Sequence, residues 1–152
     1  MATKQLSDIR SCYQFVGRAQ LKIDMSTFTQ LPLHELPPLS RQFLYAVLQL
    51  NRGKAEHALG FIRQAKESAV KAEELAYALY VEGLLLLLIG ESGEAIARYK
   101  TCAEMCRQTG DKALHFDALL LLSSIYLPTG EPALARVYEQ QAALILPRKR
   151  YI

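Results

Sequence analysis

The sequence predicts an all-α fold: a helical-repeat superhelix of three helix–turn–helix units, with one additional helix before them. Two observations carry this. Gly53, Gly90 and Gly130 each close an apolar helical stretch, where glycine suits a C-terminal cap or a tight turn. Small residues then recur at fixed distances from each glycine. Ala58, Ala95 and Ala135 stand five residues after it, Ala65, Cys102 and Ala142 twelve after it, and Ala46, Gly83 and Ser123 seven before it. The periods between the glycines are 37 and 40 residues. Small side chains at these offsets fall on the facing sides of two antiparallel helices, where a large one would force the backbones apart.

Length and composition set the bounds. A chain of 152 residues holds one domain with a core of its own. With 51% hydrophobic and 22% charged residues it is globular and not disordered. Net charge is only +3, although Arg41–Lys71 holds six Lys or Arg against two Glu, and the chain closes on Arg148, Lys149 and Arg150. Three cysteines cannot all pair, and no basic-then-apolar leader opens the chain, so a reduced, cytoplasmic compartment is expected.

The elements follow in order. Leu6, Ile9, Tyr13, Val16 and Ile23 fall near heptad spacing and predict an amphipathic helix over Lys4–Asp24. Met25–Pro38 holds three prolines and no periodicity, so residues 1–38 form a helix and a linker that packs on the repeats through Phe28, Leu31, Leu33 and Leu36. Six helices are then expected over Leu39–Arg52, Lys54–Lys71, Glu73–Ile89, Ser92–Gln108, Asp111–Leu127 and Glu131–Leu146, making residues 39–147 the repeat region. Asp111 is placed to cap the fifth, and Pro132 fits the first turn of the sixth. Residues 148–152 are a basic tail.

The leucine run from Leu84 to Leu88 is core and not membrane. A span needs roughly 20 apolar residues, and a carboxylate such as Glu82 at mid-bilayer costs about 2.5 kcal/mol or more. The run also recurs, since Ala118–Leu122 opens a second such segment that stops at Gly130.

This pattern of small residue, turn glycine and two further small residues resembles the tetratricopeptide repeat, in a long-helix form, over Leu39–Pro147. Gln42, Leu79 and Leu119 replace the aromatic of the first helix, and Glu139 stands where the third unit would present a large apolar residue. The resemblance implies a concave groove that binds a helical or extended protein segment. By register its lining is Phe43, Val47, Leu50 and Asn51 from unit one, and Tyr77, Tyr80, Leu84, Leu87 and Leu88 from unit two. Asp117, Leu120, Ser124 and Leu127 complete it from unit three. Members that grip a terminal carboxylate use Lys, Arg and Asn there; Phe43, Val47 and Leu121 occupy those places, so that clamp is absent.

No catalytic constellation is visible. Cys102 and Cys106 share a helix face but lack the further ligands of a metal site, and Cys102 already fills a small-residue slot. His34, His57 and His115 are scattered. "GESG" after Ile89 lacks the lysine and the strand of a phosphate loop. Glu82 reads either as a buried acid with a shifted pKa, which would mark a site, or as a residue on a water-facing edge of its helix, and the second reading is preferred. No cofactor and no metal are expected. The function implied is non-catalytic protein–protein interaction, as a scaffold, chaperone, adaptor or assembly subunit, with a protein or peptide partner or a second copy of the chain in the groove. The alternative is a regulatory domain associated with nucleic acid through the basic stretch and tail. It stands second, because no basic–aromatic interleaving accompanies those charges.

Overall fold

The computed structural model describes Glu35, Leu36 and residues 38–145. The helix expected over Lys4–Asp24, most of the linker and the basic tail lie outside the described residues. Within them the chain is all-helical, with six helices: α1 (Pro38–Asn51), α2 (Ala55–Ser68), α3 (Ala72–Leu88), α4 (Ser92–Thr109), α5 (Lys112–Tyr126) and α6 (Pro132–Ile145). None is long and apolar enough to cross a membrane. Each packs chiefly on its neighbours in sequence, most extensively within the pairs α1–α2, α3–α4 and α5–α6.

The same turn is built three times, once inside each pair. Gly53, Gly90 and Gly130 take φ of 74°, 87° and 82°, the left-handed region in which a side chain is strained. Their amides donate to Leu50, Leu87 and Leu127 carbonyls at 2.9, 3.1 and 3.2 Å. The next amides, of Lys54, Glu91 and Glu131, reach back to Gln49, Leu86 and Tyr126 at 2.9, 2.8 and 3.1 Å. Together these bonds satisfy the last carbonyls of the helix as a Schellman cap does. Connections between pairs use other devices. Gly110 (φ 78°) ends α4 with a single bond to the Cys106 carbonyl at 2.9 Å, and Asp111 caps α5 by accepting from the Leu114 amide at 3.1 Å. Ahead of α3 no glycine is present; Glu74 there accepts from the Lys71 and Val70 amides at 2.9 and 3.2 Å.

The recurrent small residues all lie in the interior. Ala46, Ala58, Ala65, Ala95, Cys102, Ala135 and Ala142 are buried, as are Gly83 and Ser123. At Gly83 the reason is geometric, because a Cβ there would stand 2.8 Å from Cζ of Tyr99. Tyr99 of α4 therefore lies flat over the backbone of α3, with its ring edge-on to Tyr80 at 5.6 Å. Helix α3 is the centre of the domain, buried without a break from Ala76 to Gly83. A helix apolar on all sides has to be surrounded. Its edge counterpart is α6, which buries only Ala135 and Ala142.

Candidate functional site

The face expected to line a groove divides in two. Phe43, Val47, Tyr77 and Tyr80 are buried within the chain, and Leu50, Leu84, Leu87 and Asp117 are half-buried. Leu88 (62%), Leu120 (39%) and Leu127 (58%) stay exposed, with Ser124 beside them. The side chain of Asn51 lies outside the described part. Spacing keeps the exposed residues together: Leu84, Leu87 and Leu88 share one face of α3, and Leu120, Ser124 and Leu127 share one face of α5. The open apolar surface thus belongs to the second and third pairs.

Glu82 corrects the sequence reading most sharply. It does not stand on a water-facing edge; its side chain is 0% exposed. Three cations close on it. From α2, Lys66 Nζ donates to both carboxylate oxygens at 3.0 and 3.1 Å, and Arg63 Nε donates to Oε2 at 3.3 Å. From α4, Arg98 Nε lies 3.1 Å from Oε1, close enough for charge pairing although not aligned to donate. Arg63 also reaches Glu94 at 3.8 Å. Burying a carboxylate is costly unless it is paired and hydrogen-bonded, and here both conditions hold. Arg63 and Lys66 belong to the basic excess of Arg41–Lys71, so part of that excess points inward to an acid and not outward to a polyanion.

One junction further along lies a cleft of about 210 Å³ between α4 and α6, floored by α5. Lys100, Ala103, Glu104 and Arg107 form its α4 wall, Tyr138 and Gln141 its α6 wall, and His115, Leu119 and Leu122 its floor. Lys100 Nζ sits 5.9 Å from the centre of the Tyr126 ring, which stacks on Tyr138 at 5.6 Å with 4° between planes. The Tyr126 hydroxyl as hydrogen-bond partner raises the Lys100 pKa, and Tyr138 adds to it, so the ammonium is held charged. Arg107 pairs along its own helix with Glu104 at 3.6 Å. Burial lowers the His115 pKa and Arg107 lowers it further, which favours a neutral ring.

Among the remaining buried polar groups, Cys102 is hydrogen-bonded, whereas Ser40 Oγ, Gln42 Oε1 and the Tyr99 hydroxyl have no hydrogen-bond partner. Cys102 donates its thiol to the Ala76 carbonyl at 3.3 Å. Its neighbour Cys106, together with burial, pushes that thiol far above its ordinary range, which disfavours the nucleophilic thiolate. Burial likewise raises the Tyr99 hydroxyl, which has no hydrogen-bond partner. No group of three or more His, Cys, Asp or Glu that could hold a metal ion occurs among the described residues.

Sequence spacing marked the repeat positions but neither the Glu82 cluster nor the cleft. Both assemble from three helices, and the signal that could have found the first was the pair Arg63 and Lys66, spaced to share one face of α2. No protein-family model matches the chain, and no curated protein matches its sequence.

Proposed function

We propose that the chain is a tetratricopeptide-like interaction module, a short superhelix of three helical pairs that binds a protein segment without catalysing a reaction. The observation that carries this reading is the leucine face of Leu88 on α3, Leu120 on α5 and Leu127 at its C-terminal end, three exposed leucines grouped together, whereas Leu144 on α6 is exposed apart from them. Grouped apolar surface on a soluble domain marks contact sites. The turn built three times over buried small residues supports the repeat reading, since the same cap geometry recurs at the same register in each pair. An amphipathic helix laid along α3 and α5 would bury these leucines at spacings of three, four and seven residues. In purified material the simplest donor of such a helix is a second copy of the chain.

The test is light scattering over a range of concentrations, with Leu88→Ser and Leu127→Ser combined in one variant. Both positions are exposed, so helicity should be unchanged. The expected result is a concentration-dependent dimer, or binding of a hydrophobic dye by the monomer, that the double variant removes. A wild-type monomer that binds no dye would overturn the reading.

A further inference from the structure

The glycine register makes the two junctions between helical pairs position-for-position equivalents. Arg63 and Lys100 stand ten residues after Gly53 and Gly90; Lys66 and Ala103 stand thirteen after the same glycines. Arg98 and Tyr138 stand eight after Gly90 and Gly130, and Glu82 and Leu122 eight before those two. In the first junction the floor supplies a carboxylate and the walls close on it. In the second the floor is Leu122, the wall position after Lys100 has shrunk to Ala103, and the space remains open at about 210 Å³.

The cation is kept where its acid is lost. Lys100 occupies the position of Arg63, yet among the described residues no carboxylate pairs with it within 4.0 Å, and Glu131 acts on it only weakly from farther off. It rests against the Tyr126 ring. Arg107 adds a second positive charge on the same wall, offset in part by Glu104. The floor beneath is apolar through Leu119 and Leu122, with the His115 ring beside them. Two cations above an apolar floor select a ligand that carries a carboxylate beside an aliphatic group. A cleft of this volume takes one or two side chains and not a folded domain.

We propose that the cleft between α4 and α6 is a docking site for an acidic side chain of a protein partner, with an apolar neighbour seated on Leu119 and Leu122. The partner's carboxylate meets Lys100 as Glu82 meets Arg63, and so supplies from outside what the first junction carries within itself. The site is separate from the leucine face, but it rests on the reading of the chain as a protein-interaction module.

The experiment follows amide shifts of the ¹⁵N-labelled full chain as peptide probes are added. One probe alternates Glu with Leu over eight residues, a second replaces each Glu by Gln, and a third replaces each Leu by Ser. The expected result is saturable shifting of α4, α5 and α6 amides around Lys100, Leu119 and Tyr138 with the Glu–Leu probe. Affinity should fall about tenfold or more with the Gln probe, with the Ser probe, and in the exposed-site variant Lys100→Gln. It should also fall as salt is raised, since the pairing is close to the surface. Equal binding of the Glu and Gln probes overturns the proposal, as does binding unchanged by Lys100→Gln. Shifts confined to Leu88, Leu120 and Leu127 also overturn it, while leaving the interaction module standing. A failure of the module itself would show separately, as a monomer that binds neither dye nor any probe.

Discussion

The junction between α2 and α4 and the junction between α4 and α6 are built on one register with opposite contents. The first buries Glu82 under Arg63, Lys66 and Arg98. The second buries Leu122 and leaves a cleft beside Lys100. A buried acid is therefore not a requirement of this architecture. It is tolerated in the first junction because every oxygen has a cation within reach, and the second shows that leucine can serve at the same place. The difference lies in the walls: Lys66 and Arg98 in one, Ala103 and Tyr138 in the other.

Exchanging floors should break this comparison most severely. Leu122→Glu places a carboxylate where Ala103 and Tyr138 offer no charge and only Lys100 of the three equivalent cations remains. Unfolding is expected to become easier by about 3 kcal/mol, the lower end of the cost of a buried ion that has lost partners. Adding Ala103→Lys and Tyr138→Arg to that variant should recover most of the loss. Urea melts of the two proteins check both halves, and a triple variant no more stable than the single one would show that wall charge is not what admits the acid.

The reverse exchange, Glu82→Leu, should cost less, on the order of 1–3 kcal/mol, because its three cations are partly exposed and can turn to water. Thermal melting of Glu82→Leu beside Glu82→Gln measures it. A Glu82→Leu protein more stable than wild type would make the first junction merely an expensive version of the second.

The comparison extends to the small residues next to these floors. Gly83 lies under Tyr99, so Gly83→Ala drives a methyl into the ring and should cost about 1–3 kcal/mol. Ser123 is its equivalent in the third pair, where the residue at the Tyr99 position is Glu139. Ser123→Ala, which adds no atom and removes only a hydroxyl, should cost less than Gly83→Ala, about 1 kcal/mol or below. Equal losses at the two sites by calorimetry would remove the role assigned to Tyr99.

The smallest effect is one of pH. His115 lies on the floor of the second junction, at the position of Leu75 in the first. Its folded pKa is lowered, so the unfolded chain binds its proton more readily. The stability it contributes is complete above the unfolded value near 6.5 and is lost as pH falls below it toward the folded value. His115→Gln should flatten the melting temperature between about pH 7 and 5 relative to wild type, and an unchanged slope would place the acid sensitivity elsewhere.

What could be read from the sequence was what the chain decides locally. A left-handed turn needs glycine, and a helix start is well served by aspartate, so Gly53, Gly90, Gly130 and Asp111 announced the turns and the cap. Six helices followed from those punctuation points. Glu82 was illegible for the opposite reason. On an otherwise apolar helix one acid looks like an edge, and nothing near it in sequence reveals cations sixteen and nineteen residues away on another helix. Burial of Phe43, Val47, Tyr77 and Tyr80 was hidden in the same way, since register says which residues share a face but not what covers it.

The chiefly neighbour-to-neighbour packing of the helices has a kinetic consequence. Contacts made mostly between adjacent segments close short loops, which favours rapid folding. The pair α3–α4 has the most extensive interface and the Gly83–Tyr99 contact, which suits it to form early. The junction of α2 with α3, the least extensive of the five, would then close late, when Arg63 and Lys66 reach Glu82. In that order Arg98 of α4 already stands beside the Glu82 carboxylate when Arg63 and Lys66 arrive, so the late step would complete a charge cluster begun within the α3–α4 pair.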